Sequence, residues 1–227
     1  TFEYFQVTNE IEVIPNFIDL EAFKKYDKDH FKKAIAPQGE AIVMHVSNFR
    51  KVKRIEDVVH IFHGIRREKP AKLLLVGDGP ERKKAEALCR DLAICQDVRF
   101  LGKQQAVGEL LAIADLFLMP SEKESFGLAA LEAMACEVPV ISSNAGGLPE
   151  INIDGETGFM SDVADVSSMI ENALVILNDE NSLQTFRENA LAQAKRFDIA
   201  NIVPLYENYY QKIIEKCKTE HEKEAVL

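Results

Sequence analysis

A chain of 227 residues, 47% of them hydrophobic, is long enough to bury a core without disulfides or a structural metal. Its formal charge of −10 excludes an extended nucleic-acid face, which needs clustered Lys and Arg, but leaves room for a small anionic ligand held by a few donors. No run approaches the ~20 apolar residues that a membrane span requires.

The opening Thr-Phe-Glu-Tyr-Phe has neither Met nor targeting character and reads as a cut within a longer protein. Residues 1–10 are expected to be an interdomain linker or the remnant of a preceding domain. Strands are predicted over 11–14, 41–46, 72–76, 98–101, 116–119 and 138–142. These runs are nearly continuous in apolar residues rather than alternating, as in parallel strands covered on both faces. Helical spacing occupies 55–68, 81–93, 105–114 and 126–135. The alternation predicts an α/β fold, a doubly wound parallel sheet of Rossmann-like type, over residues 11–197.

After residue 160 the pattern turns helical over 165–177, 182–196 and 199–216, with Asp165 and Ser182 as expected N-caps. The last of these helices, 198–216, stands apart from the domain, and the charged tail 217–227 is expected to fray. The cysteines, Cys89, Cys95, Cys136 and Cys217, form no C-x2-C pair and read as reduced thiols in a cytoplasmic protein.

Ligands of such sheets bind outside the carboxyl ends of the strands, so the loops there are the candidates. The 41–46 strand runs into Ser47-Asn48-Phe49-Arg50-Lys51-Val52-Lys53-Arg54, where four cations fall within five residues just before a helix N-terminus. That composition suits a phosphate or diphosphate pocket and equally a solvated basic turn. The 72–76 strand ends in Gly77-Asp78-Gly79-Pro80. Without the third glycine and the later acid, this is weak evidence for a dinucleotide site, and a plain turn is the simpler reading.

The 116–119 strand leads into Pro120-Ser121-Glu122-Lys123-Glu124-Ser125-Phe126-Gly127, and from Phe126 onward a buried helix is expected. Glu132 lies within it, and a carboxylate on a buried helix needs a partner. The two hydroxyls of a ribose would supply one. Glu124 lies just before the helix, eight residues earlier; at helical rise that is about 12 Å along the axis, comparable to the ribose-to-hexose span of a nucleotide sugar. The helix N-terminus between them would face the diphosphate. In the competing reading Glu132 pairs with a buried Lys or Arg and Glu124 caps the helix. The loop Asn144-Ala145-Gly146-Gly147-Leu148-Pro149-Glu150 either shapes the same cleft or simply turns into a short helix.

Together these residues resemble the retaining glycosyltransferases of family 4, whose GT-B fold sets two Rossmann-like domains across a cleft. The family's E-x7-E signature matches Glu124 and Glu132, within Ser-Phe-Gly-Leu, Leu-Glu-Ala-Met-Ala and Val-Pro-Val-Ile. Val13-Ile14-Pro15-Asn16-Phe17-Ile18-Asp19, Leu74-Leu75-Val76-Gly77-Asp78-Gly79-Pro80 and Phe100-Leu101-Gly102 match further landmarks. The resemblance runs from about residue 11 to residue 210.

The resemblance implies roles residue by residue. Lys53 matches the lysine that holds the donor diphosphate. The arginine usual five residues earlier is Asn48 here, and Arg50 is the candidate to take over its role. Backbone at Leu101 and Gly102 would meet the base, and Glu132 the ribose. Glu124 would contact the transferred hexose, beside backbone N–H groups of Phe126, Gly127 and Leu128. Gly77 and Ser125 complete the donor-binding set.

No cofactor or metal is implied, because cations and a helix N-terminus would stabilise the departing nucleotide. A narrower likeness is to bacillithiol-pathway members of the family. It rests on Ser-Asn-Phe-Arg-Lys-Val-Lys-Arg, Leu-Gly-Lys-Gln and Ser-Glu-Lys-Glu-Ser-Phe-Gly. It implies UDP-N-acetylglucosamine as donor and L-malate as acceptor, the malate held mainly by a preceding domain. On this reading the chain alone binds UDP weakly and transfers nothing, and its exposed apolar surface is open to a homodimer contact. A nucleotide-sugar sensor and an epimerase are the rival classes.

Overall fold

Six strands form one parallel sheet in the order β3-β2-β1-β4-β5-β6. They are β1 (Ala41–Val46), β2 (Ala71–Val76), β3 (Val98–Gly102), β4 (Leu116–Met119), β5 (Val140–Ser143) and β6 (Gly158–Ser161). The chain winds outward in one direction from β1 and then in the other from β4, so the switch point lies between β1 and β4. The computed structural model describes residues 11–26 and 29–224. Residues 18–196 form one unit, and residues 11–17 with 197–224 form another.

The expected strands appear within a residue or two at five places. β1 is fully paired with β2 in register, from Ala41 opposite Ala71 to Val46 opposite Val76. Ile42, Val43, Leu73, Leu74, Leu116 and Phe117 are wholly buried, as strands covered on both faces require. A bulge between Leu75 and Val76 shifts β3 so that Gly102 stands opposite Val76. β6 was not foreseen: its four residues carry a glycine and a serine and too little apolar character to stand out.

The helices that bear on the site or the sheet are α1 (Asp29–Ile35), α2 (Ile55–Glu68), α3 (Arg82–Asp91), α4 (Val107–Leu111), α5 (Leu128–Ala135) and α6 (Leu148–Ile151). They are followed by α7 (Val166–Leu177) and α8 (Glu180–Lys195). α2 buries Ile55, Val58, Val59, Ile61, Phe62 and Ile65 at helical spacing. Each such side chain contributes roughly 1.5–3 kcal/mol by leaving water. Gly64 lets α2 approach α7, since a Cβ there would fall 2.3 Å from Ile170 Cδ1.

Asp165 caps α7, its carboxylate accepting from the Ser168 amide at 3.0 Å. The cap of α8 is Asp179 rather than Ser182. The Asp179 carboxylate accepts from the Ser182 amide at 2.7 Å, so the helix starts earlier than expected.

At the amino ends of the strands, charge holds the sheet together. Asp115 is 5% exposed and accepts from Lys32 Nζ at 2.6 Å, Arg187 Nη2 at 2.6 Å and the Ile42 amide at 2.9 Å. Asp97 accepts from Lys72 at 2.6 Å and from Arg66. These contacts lie opposite the expected ligand edge.

In the second unit, α9 runs over Ile199–Glu224. It extends through the segment expected to fray as far as residue 224; residues 225–227 lie outside the described residues, as does the expected linker 1–10. Residues 11–14 are not a strand. Val13 is 83% exposed. Pro15 brings no N–H to a ladder. The segment instead meets α9, where Tyr206 Oη lies 3.4 Å from the carbonyls of Ile14 and Pro15. Phe17 packs edge-on against Tyr206. Among the described residues no helix is long and apolar enough to cross a membrane.

Candidate functional site

The carboxyl ends of β1 to β5 are tied together by backbone contacts. After β1 the chain turns at Phe49, a non-glycine residue with φ 40° and a wholly buried ring. Its carbonyl accepts from the Glu81 amide at 3.0 Å, joining the β1 and β2 loops. Lys51–Lys53 then forms a 3-10 turn and Arg54 adopts φ 51° before α2 starts. The four cations separate in purpose. Arg54 turns back to Asp57 at 2.5 Å. Lys53 reaches the loop after β4 and pairs with Glu124. Arg50 and Asn48 are exposed, and neither makes a side-chain hydrogen bond or ion pair among the described residues. Arg50 is therefore available to an anion where Arg54 is not.

β4 ends near Ser121, and the Glu122 amide donates to the Val52 carbonyl at 2.8 Å, pinning the β4 loop to the basic loop. The helix expected from Phe126 starts at Leu128. Gly127, at φ 103°, precedes it, and a Cβ there would fall 2.7 Å from Leu148 Cδ2. Residues 124–127 are therefore not helical, so helical rise does not apply between Glu124 and Leu128. Only the four steps from Leu128 to Glu132 follow helical rise, about 6 Å. Glu124 does not cap the helix with its side chain.

Ser125 and Leu128 are exposed beside the opening, and Phe126 is buried. The loop after β5 braces Glu124. The Gly147 amide donates to the Glu124 carbonyl at 3.0 Å, and a Cβ at Gly146 would lie 1.8 Å from that same oxygen. The loop thus packs against Glu124 and also leads into α6.

Glu132 is half-buried on α5, whose other residues Ala130, Leu131, Ala133, Met134 and Ala135 are buried. Its carboxylate makes no hydrogen bond or ion pair among the described residues. Burial pushes its pKa up to about 7. The competing expectation, a buried Lys or Arg partner for Glu132, is not met.

At the carboxyl ends of β2 and β3, the Gly77 amide donates to the Gly102 carbonyl at 2.8 Å. Gly77 is required at φ 120°, because a Cβ would fall 1.8 Å from the Ser47 carbonyl. Leu101 and Gly102 are partly exposed. Two neighbours of this backbone escaped the sequence reading. Gln104 folds back to donate to the Leu101 carbonyl at 2.6 Å. Arg82 lies 5.6 Å from the centre of the Phe100 ring. Both are polar types in polar stretches, with no sequence pattern that ties them to Gly102. Among the described residues no group of three His, Cys, Asp or Glu is placed to hold a metal. All four cysteines are free, with burial pushing the Cys89 and Cys136 thiols up to about 11 and about 12.

A doubly wound sheet with a cation, two acids and a helix N-terminus at its switch point is the architecture of one half of a GT-B glycosyltransferase. The chain belongs to the family Glycosyl transferases group 1, which it matches over residues 27–193. It is 43% identical over 220 residues to N-acetyl-alpha-D-glucosaminyl L-malate synthase of Bacillus anthracis, covering 96% of this chain and 58% of that enzyme.

Sucrose-phosphate synthase from Thermosynechococcus elongatus superposes with a TM-score of 0.83 at 28% identity, covering 92% of this chain and 54% of that one. Anabaena HepE in complex with UDP and glucose superposes with a TM-score of 0.81 at 25% identity, covering 88% and 56%. The chain thus spans somewhat more than half the length of each.

Proposed function

We propose that this chain is the donor-binding half of a retaining glycosyltransferase that moves N-acetylglucosamine from UDP-N-acetylglucosamine to L-malate. The observation that carries the donor site is Glu132, a half-buried carboxylate with no partner among the described residues, on the helix beside the switch point. Adjacent ribose hydroxyls would supply the missing donors. The identity to the malate synthase supports the choice of donor and acceptor.

In this reading the anomeric C–O bond to the diphosphate breaks and UDP leaves with the electron pair. The acceptor hydroxyl then forms its bond to the anomeric carbon on the same face and gives its proton to the departing diphosphate oxygen. Charge develops on the diphosphate, so groups that meet it there lower the barrier. Lys53 and Arg50 supply the cations, and the first N–H groups of α5 supply an oriented dipole end. Glu124 accepts from hydroxyls of the hexose. Leu101 and Gly102 offer backbone to the base, and Gly77 keeps that strand end close.

Calorimetry with UDP and UDP-N-acetylglucosamine on the wild type and Glu132→Ala tests the donor site. Binding that survives the substitution unchanged removes Glu132 from it. Product mass from the full-length protein, offered UDP-N-acetylglucosamine with L-malate and with other hydroxylated acceptors, tests the reaction. Transfer to a different acceptor would retain the donor site and overturn the malate assignment.

A further inference from the structure

We infer that His45 is a positioning residue, which through Ser47 holds the turn at Phe49 and so aims the cationic run at the donor diphosphate. The inference rests on the donor-site reading above and assigns a role to a side chain that touches no ligand in it.

His45 occupies the fork at the switch point. The β1–β4 ladder pairs Val43 with Leu116 and Met44 with Phe117. One residue further on, the wholly buried imidazole of His45 enters, with Nδ1 2.8 Å from the Leu118 carbonyl oxygen. Its ring stacks on Phe117 at 6.3 Å and lies 6.3 Å from Phe49.

The hydrogen-bond directions follow from the partners. A carbonyl only accepts, so Nδ1 carries the proton. Burial lowers the His45 pKa to about 4, so the ring is neutral and holds one proton. Nε2 is then an acceptor, and Ser47 Oγ, 2.8 Å away, donates to it. The same oxygen accepts from the Phe49 amide at 3.2 Å.

The chain of bonds runs Phe49 N–H to Ser47 Oγ, Ser47 O–H to His45 Nε2, and His45 Nδ1–H to Leu118. It ties the loop after β1 to the end of β4. The turn needs such a restraint. A non-glycine residue in the left-handed region carries about 1 kcal/mol of strain or more. The next residues are Arg50 and the Lys51–Lys53 turn, whose direction depends on how Phe49 is held.

The test uses Ser47→Ala, Ser47→Thr, His45→Gln and His45→Leu in the intact protein, with UDP and uridine as ligands. A hydrogen bond in such a relay is worth roughly one order of magnitude in affinity. Ser47→Ala is expected to weaken UDP about tenfold and leave uridine unchanged, because the loop meets phosphate and not the nucleoside. Ser47→Thr keeps the hydroxyl and is expected to restore UDP affinity. His45→Gln keeps one donor and one acceptor and is expected to lose less than His45→Leu.

Amide exchange over residues 49–54 without ligand gives a second readout, expected to quicken in Ser47→Ala and not in Ser47→Thr. It reads the relay even if UDP does not bind, so failure of the donor-site reading stays distinguishable. Unchanged exchange in Ser47→Ala, or equal loss of UDP and uridine, overturns the inference.

Discussion

Lys53 and Glu124, 71 residues apart in the chain, form an ion pair that bridges the loops after β1 and β4. Their side chains are 18% and 12% exposed, so solvent screens the pair only partly. Each is proposed to serve a different part of the donor. UDP without a sugar must therefore draw Lys53 away from Glu124. Glu124→Gln is expected to bind UDP a few-fold more tightly, and Lys53→Ala about tenfold or more weakly. Calorimetry with UDP decides it; weaker UDP binding by Glu124→Gln would show that the two do not compete.

Glu132 makes the site sensitive to pH. Its folded-state pKa of about 7 lies above the value near 4.5 of an unperturbed glutamate. Between those values the folded chain holds a proton that the unfolded chain has lost. Stability of the ligand-free protein therefore falls as pH rises from about 4.5 to about 7 and then levels. Glu132→Gln is expected to be more stable than the wild type at pH 8, by at most on the order of 3 kcal/mol, and nearly equal at pH 4. Ribose hydroxyls need the ionised carboxylate, so UDP affinity of the wild type is expected to rise from pH 6 to pH 8. Denaturant melts and calorimetry at the two ends of the range check both slopes, which should be absent in the variant.

The sheet was legible because buried parallel strands announce themselves as apolar runs between helical spacings. Glu132 of the candidate site stood out for a related reason: a charge within a buried helix contrasts with Ala, Leu and Met. Distances were not legible. The 12 Å inferred for Glu124 and Glu132 assumed a helix where Ser125, Phe126 and Gly127 form an irregular turn, with Gly127 in a backbone region that the helix excludes. The Lys53–Glu124 pair and the His45 relay were hidden as well, since each joins segments that meet only because β4 lies beside β1. Ser182 misled as a cap because Asp179, three residues earlier, offers a stronger acceptor.

Gly146 and Gly155 separate crowding from backbone strain. Both have positive φ, 60° and 75°. A Cβ at Gly155 meets nothing within 4 Å, whereas one at Gly146 falls 1.8 Å from the Glu124 carbonyl oxygen. Gly155→Ala is expected to cost about 1 kcal/mol and lower the melting temperature by roughly 2–4 °C. Gly146→Ala is expected to cost at least twice that and to weaken UDP-sugar binding, because Glu124 must move. Calorimetric melts with UDP-N-acetylglucosamine titrations test the pair; equal effects at both glycines would refute the contrast.

Asp115 is a stability residue far from the ligand edge. Asp115→Asn leaves Lys32 and Arg187 without their carboxylate in a site where Asp115 is 5% exposed. A loss of roughly 3 kcal/mol is expected, with UDP affinity unaltered at a temperature where the variant is folded. Urea denaturation alongside UDP calorimetry measures both; a parallel fall in affinity would contradict it.

The ladder between β1 and β4, at the switch point, is the shortest in the sheet. Two residue pairs join these strands, against six between β1 and β2. Local opening starts where cross-strand bonds are fewest. A nucleotide sugar that touches Lys53 on one bank and Glu132 on the other would act as a clasp over that ladder. Its binding would slow separation of the two half-sheets and raise the temperature at which they part, in proportion to the logarithm of its concentration. The donor, on this view, completes the sheet as much as it occupies the site.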